Sequence, residues 1–159
     1  MLNILVICTG NSCRSIMGEA LLNHFGKGRI QAGSAGSHPS GKINEGALAT
    51  LKRHGLPTEG YQSQSWADFE DRSAEIVITV CDNAAGESCP AYLGKAIRVH
   101  WGVSDPSHAE GTEAEKTAAF EQTFATLALR VKKMLELPLE TMPTEKITTE
   151  LSVIGQLAT

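Results

Sequence analysis

The residues best suited to chemistry form one short segment, Cys8-Thr9-Gly10-Asn11-Ser12-Cys13-Arg14-Ser15. It follows an apolar run and leads into a segment with helical periodicity, so we expect it to connect a strand to a helix. Such a loop turns successive backbone N–H groups inward, and the helix N-terminus adds a positive dipole end. Arg14 supplies a planar pair of donors for two oxygens of an anion. We therefore predict that residues 9–15 bind a tetrahedral oxyanion.

Cys8 opens this loop, where the donors that bind an anion also stabilise a thiolate. A free thiol with a pKa of about 8.5 falls to about 6 or lower in such surroundings, so we expect a nucleophile. Ser15 is a candidate hydroxyl donor to it. A lone cysteine at a strand end is more often a small buried residue, but the complete C-x5-R-S pattern favours the nucleophile. Cys13, inside the loop, is expected to be structural.

The other two cysteines, Cys81 and Cys89, bring the total to four. The first residues lack a basic leader, so we expect a cytoplasmic protein, in which cysteines serve redox work, catalysis or metal binding. Seven residues separate Cys81 from Cys89, which does not match C-x2-C zinc spacing, and the histidines form no paired motif. We expect no metal ligands among them.

Composition excludes two classes of partner. The net charge is −4 without a Lys/Arg cluster, which argues against nucleic-acid binding. Apolar residues make up 42% of the chain, but no run approaches the ~20 residues that span a bilayer, so no membrane is expected. A monomeric enzyme of one domain fits the length of 159 residues.

Short apolar runs alternate with helical patterns, which predicts an α/β fold. We expect one three-layer domain over residues 1–137, with a four-stranded parallel sheet flanked by helices, and binding at the carboxyl ends of the strands. The remaining residues, 138–159, form a C-terminal tail with a short helix over 144–157. The predicted strands are 2–7, 30–32, 76–80 and 96–101, and the predicted helices are 15–25, 44–54 and 112–137.

The loop and its surroundings resemble the arsenate reductases built on the low-molecular-weight protein tyrosine phosphatase fold. The resemblance covers about residues 2–137. The motifs that carry it are Cys8 to Ser15 continuing as Ile16-Met17-Gly18-Glu19-Ala20, then Ala32-Gly33-Ser34-Ala35-Gly36, Val80-Cys81-Asp82, Cys89-Pro90, and His100-Trp101-Gly102 leading to Asp105-Pro106. It implies a low-molecular-weight phosphatase-like fold.

The resemblance also implies a reaction. Cys8 forms a thiol–arsenate adduct, Arg14 binds the oxyanion and Asp105 acts as general acid. Arsenite then leaves as a Cys8–Cys81 disulfide forms, and Cys89 attacks to give a Cys81–Cys89 disulfide. Phosphate and sulfate are expected to compete with arsenate, and an external thiol reductant is required, either thioredoxin or glutaredoxin with glutathione.

Two other functions stay open. Cys8, Arg14 and Asp105 also suit a low-molecular-weight protein tyrosine phosphatase with a phosphocysteine intermediate, although that branch carries adjacent tyrosines where Ser107 and His108 stand here. The third alternative is a non-catalytic sensor that binds an oxyanion and signals by forming a Cys81–Cys89 disulfide.

No cofactor is expected to be bound for catalysis. Some relatives hold potassium through residues that match Asn11, Glu19 and Ser34, but an acidic ligand expected near Gln64 is missing here.

Overall fold

The computed structural model describes residues 1–69, 74–81 and 94–159. Cys89 lies outside the described residues, as does the rest of the segment that connects it to Cys81. The described part forms strands β1 (Leu2–Cys8), β2 (Ile30–Gly36), β3 (Ile76–Thr79) and β4 (Ile97–His100). Its helices are α1 (Arg14–Phe25), α2 (Glu45–Arg53), α3 (Glu113–Leu135) and α4 (Thr144–Ile154).

The strands form one parallel sheet in the order β2-β1-β3-β4. Every residue of β3 and the last five of β1 are buried. Because successive side chains of a strand point to opposite faces, both faces of the central strands are covered. The predicted α/β fold with a four-stranded parallel sheet is confirmed.

The register places the carboxyl ends of the strands at one edge. Cys8 pairs with Gly36, Ile7 with Thr79, and Thr79 with His100. Strand β2 runs four residues beyond the predicted 30–32, through small residues that the apolar pattern did not mark. The end of this strand has no room for a larger residue, because a Cβ on Gly36 would lie 2.4 Å from the carbonyl oxygen of Thr9.

The helix ends follow the predicted signals. Asn44 caps α2 by accepting hydrogen bonds from the backbone of Gly46 and Ala47. Thr112 and Glu115 form the capping box expected at the start of α3. Helix α1 begins at Arg14, one residue earlier than predicted, so the arginine belongs to its first turn.

Helices α1, α2 and α3 pack against one another, and α1 also packs on β1 and β2. Helix α4 packs on β4, where the indole Nε1 of Trp101 donates to the carbonyl of Leu151 at 2.9 Å. Leu151 and Ile154 are buried. Within the described residues, none of the helices combines the length and hydrophobicity that a bilayer crossing needs.

Candidate active site

The loop between β1 and α1 is held from outside through its carbonyl groups. Those of Thr9, Gly10 and Ser12 accept hydrogen bonds of 2.9–3.0 Å from backbone N–H groups within residues 38–44. Because the C=O and N–H of one trans peptide point in opposite directions, the amides that follow these carbonyls point to the other side of the loop. This arrangement suits the predicted oxyanion cradle.

Asn11 fixes the curvature of the loop from within. It is fully buried and has a φ of 45°, a left-handed conformation that Asn tolerates better than most residues. Its Nδ2 donates to Ser15 Oγ at 2.8 Å and to Ser34 Oγ at 3.0 Å. Its Oδ1 accepts from the backbone N–H of Gln64 at 2.9 Å. The side chain therefore ties the loop to α1, β2 and the segment before residue 65.

The residues suggested as potassium ligands do lie together. Ser34 Oγ donates to Glu19 Oε1 at 2.6 Å, and Asn11 donates to Ser34. These oxygens already take part in hydrogen bonds within the protein, and Glu19 is the one carboxylate of the set. Across the described residues, moreover, His, Cys, Asp and Glu form no cluster of three or more suited to a metal ion.

The structure brings two cysteines into contact at the sheet edge. Cys8 ends β1 and Cys81 follows β3, and their side chains are joined by a hydrogen bond. Thr9 also reaches Cys81: its backbone N–H donates to Sγ at 3.3 Å, and its hydroxyl lies 3.4 Å from the same atom. Both cysteines are buried and free of disulfides. The two sulfurs are therefore neighbours in the reduced protein.

The expected low pKa of Cys8 is wrong for this arrangement. The hydrogen bond with Cys81 and then burial raise the pKa of Cys8 above its ordinary value, against the opposing charge of Arg14. The charge of Arg14 and the backbone N–H of Thr9 oppose this rise and favour the thiolate of Cys8.

Cys13 differs from this pair. Burial raises its pKa to about 12, with a further contribution from Asp105. Its thiol is thus neutral at physiological pH and packs in the core, in keeping with the structural role expected for it.

Arg14 faces the segment that follows β4. Its Nη1 donates to the carbonyl of Val103 at 3.0 Å, and its Nη2 lies 3.4 Å from Asp105 Oδ2. The guanidinium thus connects the loop to the predicted general acid. Sequence reasoning did not anticipate Val103, because a backbone acceptor leaves no trace in residue type.

Asp105 is held as a carboxylate. Burial opposes its ionisation, but hydrogen bonds from the hydroxyl and backbone N–H of Ser107 prevail, aided by the charges of Arg14 and His108. Together they hold the pKa of Asp105 below its ordinary value. The Ser107 hydroxyl donates at 2.6 Å and its backbone N–H at 2.9 Å, both to Oδ1.

Thr9 has a second contact that the sequence did not reveal. It was assigned to the oxyanion loop alone, whereas the structure also places its backbone N–H and its hydroxyl against Cys81 Sγ. Adjacent strands set this contact, and no local motif records it.

Comparison with known proteins identifies the family of the chain. Residues 3–148 match the family model described as low molecular weight phosphotyrosine protein phosphatase.

Three similar proteins illustrate the relationship. An arsenate reductase from Halalkalibacterium halodurans is 35% identical, over 84% of this chain and 94% of its own. A solved thioredoxin-dependent arsenate reductase from Corynebacterium glutamicum is 24% identical over 86% of this chain and 61% of its own, with a TM-score of 0.66. A solved tyrosine phosphatase from Erwinia amylovora is 25% identical over 86% of this chain and 93% of its own, with a TM-score of 0.68.

Proposed function

Since the chain belongs to the low molecular weight phosphotyrosine protein phosphatase family, we propose that it reduces arsenate to arsenite with thiols as the electron source. The observation that carries this function is the hydrogen bond between Cys8 and Cys81. A phosphatase of this type needs one nucleophilic sulfur. Reduction of As(V) to As(III) takes two electrons, which two thiols supply when they become a disulfide.

In the first step, Cys8 attacks arsenic while the loop amides and Arg14 neutralise charge on the remaining oxygens. One As–O bond breaks, and its oxygen leaves as water after receiving a proton. Asp105 supplies that proton. An arsenate dianion beside its carboxylate raises the pKa of Asp105 by like-charge repulsion, which restores the protonated acid.

In the second step, the Cys81 thiolate attacks the sulfur of Cys8. The S–As bond breaks, its electron pair stays on arsenic, and arsenite leaves as the Cys8–Cys81 disulfide forms. The backbone N–H of Thr9 donates to Cys81 Sγ, which favours the thiolate of Cys81 over its thiol.

In the third step, Cys89 attacks Cys81, which frees Cys8 and leaves a Cys81–Cys89 disulfide. An external dithiol, either thioredoxin or glutaredoxin with glutathione, returns this disulfide to two thiols. We place the cycle in the cytoplasm, where these reductants keep protein thiols reduced.

The test separates reduction from oxyanion binding. Cys81→Ser is expected to abolish arsenate-dependent NADPH oxidation in a reductant-coupled assay, while slow hydrolysis of an aryl phosphate at Cys8 persists. Cys8→Ser is expected to remove both activities. Full arsenate reduction by either variant would exclude the mechanism.

A tyrosine phosphatase is the second candidate, because Arg14 contacts Asp105 and its charge acts on Cys8, and that chemistry uses the same three residues. Rapid turnover of a phosphotyrosine peptide without arsenate reduction would select it. Oxidation of Cys81 and Cys89 once per chain, with no further turnover when reductant is supplied, would instead indicate a sensor.

A further inference from the structure

The segment that carries Asp105 is held by helix side chains along its whole length. Arg130 Nη1 donates to the carbonyls of Trp101 at 2.8 Å and Gly102 at 3.2 Å. The next two carbonyls are also occupied, that of Val103 by Arg14 at 3.0 Å and that of Ser104 by Thr123 at 3.3 Å. Four successive carbonyls, 101–104, thus accept bonds from α1 or α3.

The same face of α3 holds the C-terminal end of the chain. Arg130 Nε donates to the carbonyl of Leu157 at 2.9 Å. Gln122 Nε2 donates to the backbone oxygen of Thr159 at 2.9 Å, and the hydroxyls of Thr126 and Thr159 lie 3.1 Å apart. Residues 122, 126 and 130 are spaced by four, so they share one helix face.

Helix α4 closes against the start of this segment. Trp101 is 1% exposed, and its indole donates to Leu151. A Cβ on Gly155 would lie 2.7 Å from the carbonyl oxygen of His100 and 2.8 Å from the Trp101 ring. Gly155 therefore packs directly against residues 100–101, so movement of the C-terminal segment displaces them.

Arg130 connects the two segments through backbone acceptors. It is 4% exposed, and its hydrogen bonds run to three carbonyls on two separate stretches of chain. A planar guanidinium can reach all three at once, whereas the ammonium of lysine, a single point of donation, cannot. This explains why a costly buried charge stands at position 130.

We propose that the C-terminal segment 151–159 sets the position of Asp105, with Arg130 and Trp101 as positioning residues. The proposal rests on the proposed function in so far as Asp105 acts there as the proton donor. Loss of the Arg130 hydrogen bonds lets residues 101–104 move. The carboxyl group of Asp105 then lies too far from the departing oxygen to protonate it.

The test compares two arginines that both bind backbone carbonyls. Arg130→Lys is expected to lower kcat for arsenate about tenfold with KM within about twofold. Arg29→Lys is the control, because Arg29 donates to the carbonyls of Leu135 and Leu137 and to Glu140, and in the described part of the chain none of these bonds reaches the Asp105 segment. It is expected to keep kcat.

A double-mutant cycle separates positioning from general loss of stability. Arg130→Lys is expected to lower kcat about tenfold in the wild-type background but by no more than about threefold beside Asp105→Asn. If Arg130→Lys does not fold, Trp101→Phe takes its place, because it removes only the indole donor to Leu151. Its effect on kcat is expected to be smaller and to depend in the same way on whether Asp105 is present. Additive effects, or an unchanged kcat, would overturn the proposal.

Amide hydrogen exchange at Ser107 decides the matter without turnover, because this N–H donates to the Asp105 carboxylate. Exchange there is expected to be about tenfold faster in Arg130→Lys than in Arg29→Lys. Equal rates contradict the proposal. If the wild-type protein fails to reduce arsenate, the proposed function fails, and the exchange rates still report whether the C-terminal segment positions Asp105.

Discussion

The thiol half of the site, Cys8 with Cys81, and the acid half, Arg14 with Asp105, are held in place by different means. Both cysteines stand at strand ends, and the parallel register of β1 and β3 brings them together through backbone hydrogen bonds. Asp105 instead lies beyond the end of β4, on a segment fixed by helix side chains. The positions of the two cysteines are therefore fixed by the sheet, whereas the position of Asp105 depends on individual side chains.

The electrostatics differ in the same way. Contact with another sulfur raises the pKa of Cys8, an effect internal to the thiol pair. The pKa of Asp105 is lowered by groups from its own turn and from α1. Changes in the thiol half are therefore expected to remove activity, and changes in the acid half to shift its pH dependence.

The largest effect is expected at Asn11, which supports the thiol half. Asn11→Ala loses three buried hydrogen bonds and keeps a left-handed backbone, so the free energy of unfolding should fall by about 3–4 kcal/mol. Asn11→Gly loses the same bonds without backbone strain and should be about 1 kcal/mol more stable than the alanine variant. Urea denaturation measures the free energy of unfolding of both variants. Equal values would show that backbone strain at position 11 does not contribute.

Gly36→Ala tests the packing of β2 against the loop. Its Cβ would lie 2.4 Å from the Thr9 carbonyl and 3.0 Å from that of Cys8, so the loop must shift. We expect a loss of about 1–3 kcal/mol and of most arsenate reduction. At Gly10 the added Cβ meets no atom within 4 Å, so the stability of Gly10→Ala should stay within about 0.5 kcal/mol. A fully active Gly36→Ala would show that the loop is not held from this side.

Cys81→Ser is expected to change the ionisation of Cys8. Removal of the sulfur that accounts most for the raised pKa lets the pKa of Cys8 fall, since Arg14 and the Thr9 amide still favour its thiolate. The pH dependence of Cys8 alkylation by iodoacetamide should move to lower pH than in the wild type. An unchanged or higher midpoint would mean that burial, rather than the sulfur pair, dominates.

The smallest effect is expected in the acid half. Ser107→Ala removes the 2.6 Å hydroxyl bond to Asp105 and so raises the pKa of that carboxyl. If Asp105 is the proton donor, the alkaline fall of kcat moves to higher pH. Ionised Asp105 stabilises the fold above its unfolded pKa, and this contribution disappears as pH falls through the lower folded pKa. The variant should therefore lose less stability on acidification, as followed by thermal unfolding at several pH values.

Much of the thiol half could be predicted from sequence because each of its parts has a local signature. The loop follows an apolar strand, Asn44 and Thr112 mark helix starts, and Cys81 ends a second buried run. Parallel strands then place both cysteines at one edge. The sequence did not indicate that the contact between the two thiols raises the pKa of Cys8, which is opposite to the expected shift.

The support of the acid half could not be predicted. The carbonyls at 101–104 are backbone groups with no residue signature, and Arg130 and Thr123 are separated from them by 19 or more positions. The helical pattern assigned both residues to α3 without indicating their targets. The potassium and general-acid roles came from resemblance, and Asp105 keeps its role as a proposal.

The most direct test is a single turnover of Cys89→Ser with one equivalent of arsenate and no reductant. Without Cys89 the reaction should stop after the second step, giving one arsenite per chain and a Cys8–Cys81 disulfide that peptide mass spectrometry identifies. Arsenite release without that disulfide, or no arsenite from a folded protein that still binds arsenate, would contradict reduction by the two sulfurs at the ends of β1 and β3.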